Sequence, residues 1–183
     1  MRYADGPTAQ GGILVGAAPP RVWELVTDIG LPARLSPELH RVEWLGGAVA
    51  PAVGARFAGF NRHPVAGEWR TVSQIVEFDA ERVFGWAVLD ADGRFGDPAD
   101  DLADRMATWR FELSPQADGT LVRQSVRIGP GRSGVSPWIE RMPEREEELV
   151  AQPLDELRTG IGATLAGIKA LAERGPEADR PGG

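Results

Sequence analysis

The sequence predicts an α+β domain in which a curved antiparallel sheet of about seven strands wraps around a long C-terminal helix. Three observations carry this expectation. Between His40 and Ile128 apolar residues recur mainly with a period of two, which marks strands. Turn signals separate the runs, notably Gly46-Gly47, Gly54 and Asp118-Gly119, and such tight turns join antiparallel neighbours. From Pro153 to Arg174 the steps become three and four. There Leu154, Leu157, Ile161, Leu165, Ile168 and Leu171 line one wide helical stripe. Burying six such side chains contributes at most roughly 12 kcal/mol, at about 2 each. A stripe that broad needs a concave partner, and the strands upstream are what the chain offers.

Taken in order, Met1 to Gly12 is polar and Gly-rich and is expected to be mobile. Ile13 to Val15 is a short strand. Pro19 and Pro20 suit a first helical turn, and Val22, Leu25, Val26 and Ile29 give the stripe of a short helix over 19–28. Leu31 to Leu39 is a second, shorter helical piece. Strands follow over 41–45, 56–63, 68–78, 82–89, 107–113 and 121–128. The mixed alternation of 68–78 points to a bulge. In 107–113, Trp109, Phe111 and Leu113 share one face, and Thr108, Arg110 and Glu112 the other. Ser136-Pro137-Trp138 is a helix start. Pro143 and Pro153 are expected to kink or divide the helical region after it. In the last helix Asp155 and Glu156 fall in the first turn, Lys169 and Arg174 near the end, and Gly175-Pro176 stops it. Glu177 to Gly183 is a polar tail.

The length, 183 residues, suits one domain with a substantial core. The six Trp and the apolar content indicate a globular chain. No apolar run reaches transmembrane length, and the N-terminus lacks a signal pattern. The expectation is a soluble, cytoplasmic protein without stable membrane insertion. With no Cys, disulfides, thiolate catalysis and Cys-ligated metal are excluded. A net charge of −7 argues against nucleic acid as a general partner. There is no phosphate-cradling Gly motif, Ser nucleophile elbow or metal-ligand cluster, so neither a metal nor a cofactor is expected.

The acidic connection Asp90 to Asp104 begins Asp-Ala-Asp-Gly, like a calcium loop. It lacks the bidentate Glu and the Gly position of an EF-hand. The reading is a solvated, mobile loop indifferent to calcium.

Several short pieces, weak singly, stand in a telling order. Ala18-Pro19 through Val22-Trp23 to Asp28 leads to Leu35-Ser36-Pro37 and then Val42-Glu43-Trp44-Leu45. Gly54-Ala55-Arg56-Phe57, Gly59 and Asn61-Arg62 come next, then Trp69 with Val76-Glu77, and Arg82, Phe84 and Trp86. The series closes with Trp109 to Pro115, Gly119-Thr120 and the helix Gly160 to Glu173. In this the chain resembles the SRPBCC superfamily of START-like helix-grip proteins, and within it the bacterial polyketide cyclase/dehydrase and lipid-transport group. The resemblance covers residues 11–174, leaving 1–10 and 175–183 as flexible tails. The long Asp90–Asp104 loop departs from the short hairpin usual at that rim.

The resemblance implies a cavity for a hydrophobic, lipid- or polyketide-like molecule between sheet and C-terminal helix. The alternation of the strands then suggests a lining of Phe57, Asn61, Phe84, Trp86, Trp109, Phe111, Gln124, Ile161 and Leu165, joined by Trp44 and Trp69. Glycines 160, 162 and 167 leave helix surface uncovered. The same aromatics are also what a solid core would use.

His63, Asn61 and Gln124 are the candidates for handling protons or carbonyl oxygens. Against this, His63 beside Pro64 reads rather as a strand end facing water, and Gln124 equally as a locally hydrogen-bonded sheet residue. The first expectation is a binding or carrier role. One alternative is a cyclase or aromatase that folds a polyketide chain in the same cavity. Another is a protein-interaction module using the acidic loop. The oligomeric state is left undefined.

Overall fold

The computed structural model describes residues 1–36, 39–63 and 67–174, the side chain of His63 excepted. A single-turn 3₁₀ helix, Tyr3–Asp5, precedes strand β1, Thr8–Val15. Helices α1, Pro19–Val26, and α2, Leu31–Leu35, follow. Then come β2 (Leu39–Leu45), β3 (Arg56–His63), β4 (Gly67–Asp79), β5 (Val83–Leu89), β6 (Ala107–Gln116) and β7 (Gly119–Ile128). Helix α3, Ser136–Arg141, and a 3₁₀ turn, Pro143–Arg145, lead into α4, Glu146–Glu173. The seven strands form one sheet in the order β1-β7-β6-β5-β4-β3-β2, every pair antiparallel. The predicted α+β architecture, with two short helices after the first strand and a long last helix held by the sheet, is what the chain adopts.

The expected bulge lies in β4. Its register against β5 shifts between Ile75 and Glu77. The extra residue reverses the alternation, so Trp69, Thr71, Ser73 and Ile75 face inward before it and Phe78 faces inward after it. This lets the long strand bend while both ends keep an apolar side chain on the concave face. Phe78 meets Trp23 of α1 with ring centroids 5.3 Å apart.

The first correction concerns the N-terminus. Residues 8–12, assigned to a mobile segment, are strand, paired with β7 from Thr8↔Arg127 to Val15↔Thr120. Their inward residues are small, Ala9 and Gly11, and so carried no apolar signal. That smallness has a purpose. A Cβ at Gly11 would stand 2.9 Å from Ile161 Cγ2 and 3.4 Å from Leu165 Cδ1. Helix α4 therefore lies close against β1 only because a glycine faces it. Tyr3 is also anchored: its N–H donates to Glu146 Oε1 at 2.9 Å and its hydroxyl to the Gly131 carbonyl at 2.6 Å.

The second correction concerns Pro153. It neither starts nor divides the last helix, which runs unbroken for 28 residues. The first turn holds Glu146, Glu147 and Glu148 instead of Asp155 and Glu156. Val150 and Leu154, on either side of the proline, are both buried. Packing of both turns against the same core outweighs the one backbone hydrogen bond that proline removes. The Gly175-Pro176 stop and the polar tail lie outside the described residues. Among the described residues no helix is long and apolar enough to cross a membrane.

The third correction concerns the acidic connection. It is pinned to the outer face of the sheet. On that face Ala58, Val72, Ala87 and Leu89 are buried, although they point away from α4. Arg56 and Arg70, on the same face, pair with Asp100 and Asp92 of the loop. The guanidinium of Arg70 holds the Asp92 carboxyl below the ordinary carboxylate range. Asp90 is itself buried and accepts the N–H groups of Arg94 and Phe95 at 2.8 and 2.7 Å. Among the described residues no cluster of three or more His, Cys, Asp or Glu is placed to hold a metal.

Two results should follow. Calcium added at physiological concentration should leave amide exchange across 90–104 unchanged; protection would contradict this structure. Asp90→Asn should weaken the cap on two backbone donors, costing about 1–2 kcal/mol. Exchange at Arg94, Phe95 and Ala99 should then accelerate ahead of the rest of the domain. Unchanged exchange there would mean that Asp90 does not organise the loop.

Candidate functional site

The concave face is not filled. A cavity of about 410 Å³ lies between the sheet, α1–α2 and α4. That volume falls within the range of small-molecule sites, roughly 300–1,000 Å³.

Its strand wall is built by alternation. β3 contributes Phe57, Gly59 and Asn61; β4 contributes Trp69, Thr71 and Ser73; β5 contributes Phe84, Trp86 and Val88; β6 contributes Trp109 and Phe111; and β7 contributes Gln124. Cross-strand register sets the aromatics beside one another. Trp86 lies opposite Trp109, with rings 9° from parallel and centroids 6.2 Å apart. Phe84 is opposite Phe111, and Phe111 is opposite Gln124. The rings of Phe84 and Trp86 are 5.2 Å apart, continuing one aromatic surface along β5.

The helical side was only partly foreseen. Ile161 lines the cavity with Gly160, Ala163 and Thr164. Val26, Asp28, Ile29, Leu31, Pro32, Leu35 and Ser36 form a roof over it, and Leu39 and Val42 of β2 close the side. The stripe of the first helix was legible in the sequence; where it points was not, because the connection between Val26 and Leu31 sets the direction of α2 relative to α1.

Glycines in α4 have separate tasks. A Cβ at Gly160 would meet nothing within 4 Å, so this position leaves space at the mouth. A Cβ at Gly167 would stand 2.8 Å from Leu35 Cδ2, so that position seats α2 against α4. Gly162 is exposed and takes no part in the lining.

Two residues expected in the lining are elsewhere. Trp44 is half-buried on the same face of the sheet, edge-on to Phe57 with centroids 6.0 Å apart, but does not reach the described lining. Leu165 packs between α4 and β1 near Gly11, one side of the helix away from the space. Positions 161 and 165 share the buried stripe, but only 161 reaches the cavity. Periodicity cannot separate residues on one stripe that meet different strands.

The polar groups of the wall differ in what they have left to offer. Asn61 Nδ2 and Thr71 Oγ1 both donate to the Gly59 carbonyl, at 3.4 and 3.5 Å. Asp28 is the charged residue among the described lining. Its Oδ1 accepts the Gly30 N–H and its Oδ2 an Arg34 guanidinium N–H, each at 2.8 Å. Gln124 is 5% exposed, and its Oε1 accepts no hydrogen bond from the described protein groups. The His63 backbone pairs with Gly67 at the end of β3, and its side chain lies outside the described residues.

Sequence and structure comparisons converge on this arrangement. Residues 8–162 match the profile of the family described as polyketide cyclase / dehydrase and lipid transport. The chain belongs to this family. It is thereby a member of the SRPBCC superfamily.

No functionally curated protein matches the sequence. Among solved structures, the polyketide-cyclase-like protein Cgl2372 from Corynebacterium glutamicum is 26% identical, with a TM-score of 0.63 over 94% of this chain and 93% of its own. Ms6760 from Mycobacterium smegmatis is 17% identical, with a TM-score of 0.60 over 95% and 96%. The di-domain ARO/CYC protein BexL, from the BE-7585A biosynthetic pathway, is 16% identical, with a TM-score of 0.66. That match covers 93% of this chain and 51% of BexL. At these lower identities the likeness is one of fold.

Proposed function

We propose that this family member binds a hydrophobic small molecule in the space between its sheet and α4, in a carrier or binding role. The observation that carries the reading is the cavity of about 410 Å³ with a mainly apolar and aromatic wall. Membership of a family described by polyketide cyclisation and lipid transport supports the same class of ligand.

The cyclase reading uses the same cavity, and the fold it shares with BexL keeps it in view. The wall favours binding over chemistry. Asp28, the titratable group among the described lining, is already engaged by a backbone N–H and an arginine, and the Asn61 amide is turned to the Gly59 carbonyl. General acid–base work needs a group with a proton site free to meet the substrate.

The test is native mass spectrometry of the purified protein together with titration of uncharged apolar compounds, read at the indole N–H resonances of Trp86 and Trp109 by NMR. A retained apolar mass, or saturable shifts at these two indoles, is expected. No retained mass and no shift with any compound would leave an inert core and remove the reading.

A further inference from the structure

Gln124 is the β7 residue of the cavity wall, and its side chain stands among apolar neighbours. Val122 and Val126 flank it along the strand on the same face, both buried. Gly11 lies opposite it on β1 and Phe111 opposite it on β6. None of these four carries a polar side-chain atom, and a ring face takes an N–H only weakly. For folding alone an apolar residue would serve here, because a buried amide without partners costs stability.

The two ends of the amide are placed differently. Oε1 is closed off within the wall and accepts nothing. Nε2 also lacks a partner among the described protein groups, but it is not closed off, and it is the end of the amide that reaches the cavity. The opposite orientation would bury two unpaired N–H donors in place of one carbonyl, the costlier arrangement. Asn61, the other amide of the described lining, is turned to the Gly59 carbonyl. At its β7 end the cavity therefore presents free N–H donors, and what meets them is a ligand oxygen able to accept.

Charge and shape narrow the class. The described lining contains neither Lys nor Arg, and its charged residue is the anionic Asp28. A carboxylate brought here would lose its water without gaining a counter-ion, whereas a neutral carbonyl loses far less. Trp86 and Trp109 stack across the β5–β6 pair, with Phe84 and Phe111 beside them. This surface lies between the β3–β4 wall and Gln124. A flat ring resting on it, with a carbonyl on the edge towards β7, brings that oxygen to Nε2.

We propose, resting on the binding reading above, that the ligand is an uncharged ring compound bearing a carbonyl oxygen, and that Gln124 selects it by donating from Nε2 to that oxygen.

Three probes of similar shape test this: 1-tetralone, tetralin and 1,2,3,4-tetrahydro-1-naphthoate. Affinities are measured by NMR titration at the Trp86 and Trp109 indoles, for the wild-type protein and for Gln124→Leu. The side-chain N–H resonances of Gln124 are followed in the wild type. They should move downfield with 1-tetralone and not with tetralin. Gln124→Leu should lower the preference for 1-tetralone over tetralin by about tenfold, the effect of one hydrogen bond. Its affinity for tetralin should stay within about twofold of wild type, as expected when an apolar group of similar size replaces the amide. The carboxylate should bind the wild type more weakly than 1-tetralone.

The same Gln124 N–H shifts with 1-tetralone and tetralin would overturn the assignment while leaving a hydrophobic binding protein. So would an unchanged ketone preference in a folded Gln124→Leu or Gln124→Met protein, or tightest binding of the carboxylate. Absence of binding by all three would overturn both. The N–H shifts are read on the wild type and decide the matter even if neither variant folds.

Discussion

Gly119→Ala is expected to destabilise the domain strongly. Gly119 opens β7 after the two-residue turn at Ala117-Asp118 and pairs with Gln116. Its φ is +138°, and a Cβ there would stand 2.1 Å from the Val15 carbonyl oxygen and 3.1 Å from Gly16 Cα. These are backbone atoms, so no side-chain rotation relieves the contact. The next residue, Thr120, is buried, pairs with Val15 and donates its hydroxyl to the Ala17 carbonyl at 2.8 Å. A shift at 119 therefore disturbs the end of β1 and the entry into α1 together.

Adding the cost of a left-handed φ, about 1–2 kcal/mol, to that of overpacking, about 1–3 kcal/mol, gives a loss of roughly 3 kcal/mol. For a domain of this size that corresponds to a fall in Tm of about 6–12 °C. Gly54→Ala is the control. Its φ is +89°, but a Cβ there meets nothing within 4 Å, so only the conformational cost applies. Thermal melts of the two variants should differ clearly. A Gly119→Ala protein melting within about 2 °C of wild type would show that β1 and β7 do not meet as described.

Gly160→Leu should raise stability and abolish binding at once. The position is helical, a Cβ meets no neighbour within 4 Å, and it borders the cavity. Leucine in place of glycine within a helix gains about 0.5–1 kcal/mol from propensity. Its side chain then occupies the mouth, and affinity for apolar probes should fall by at least about tenfold, or 1.4 kcal/mol.

Leu165→Trp makes the opposite pair of changes. Leu165 is buried beside Gly11 and lies outside the cavity, so a larger ring overpacks the α4–β1 contact at a cost of about 1–3 kcal/mol or more. Any loss of binding should then track loss of fold. Melts and NMR titrations of the two variants side by side distinguish blocking from unfolding. A Gly160→Leu protein that is destabilised, or that still takes up probe like wild type, would mean the helix does not border an open space.

By itself the amino-acid sequence determined the architecture. Period two in β2 to β7 and the apolar stripe of α4 are local patterns, and each has one way to bury its apolar face. The inward positions of Phe57, Trp86, Trp109, Phe111 and Gln124 followed from the same alternation, because successive strand side chains point to opposite faces.

What the sequence did not carry lay in contacts between distant segments. Ala9 and Gly11 give no apolar signal, yet α4 can approach β1 only through their smallness. Pro153 reads as a break, yet buried neighbours on both sides keep one helix. Asp90 to Asp104 reads as solvated charge, yet arginines from β3 and β4 and a buried aspartate fasten it over apolar residues of the outer face. Leu165 and Ile161 share a stripe, and only the crossing of α4 over the sheet assigns one to a packed seam and the other to a cavity. The unpaired Gln124 oxygen is of the same kind. A residue's face is set by its own strand, but whether its polar atom finds a partner is set by every element that folds around it.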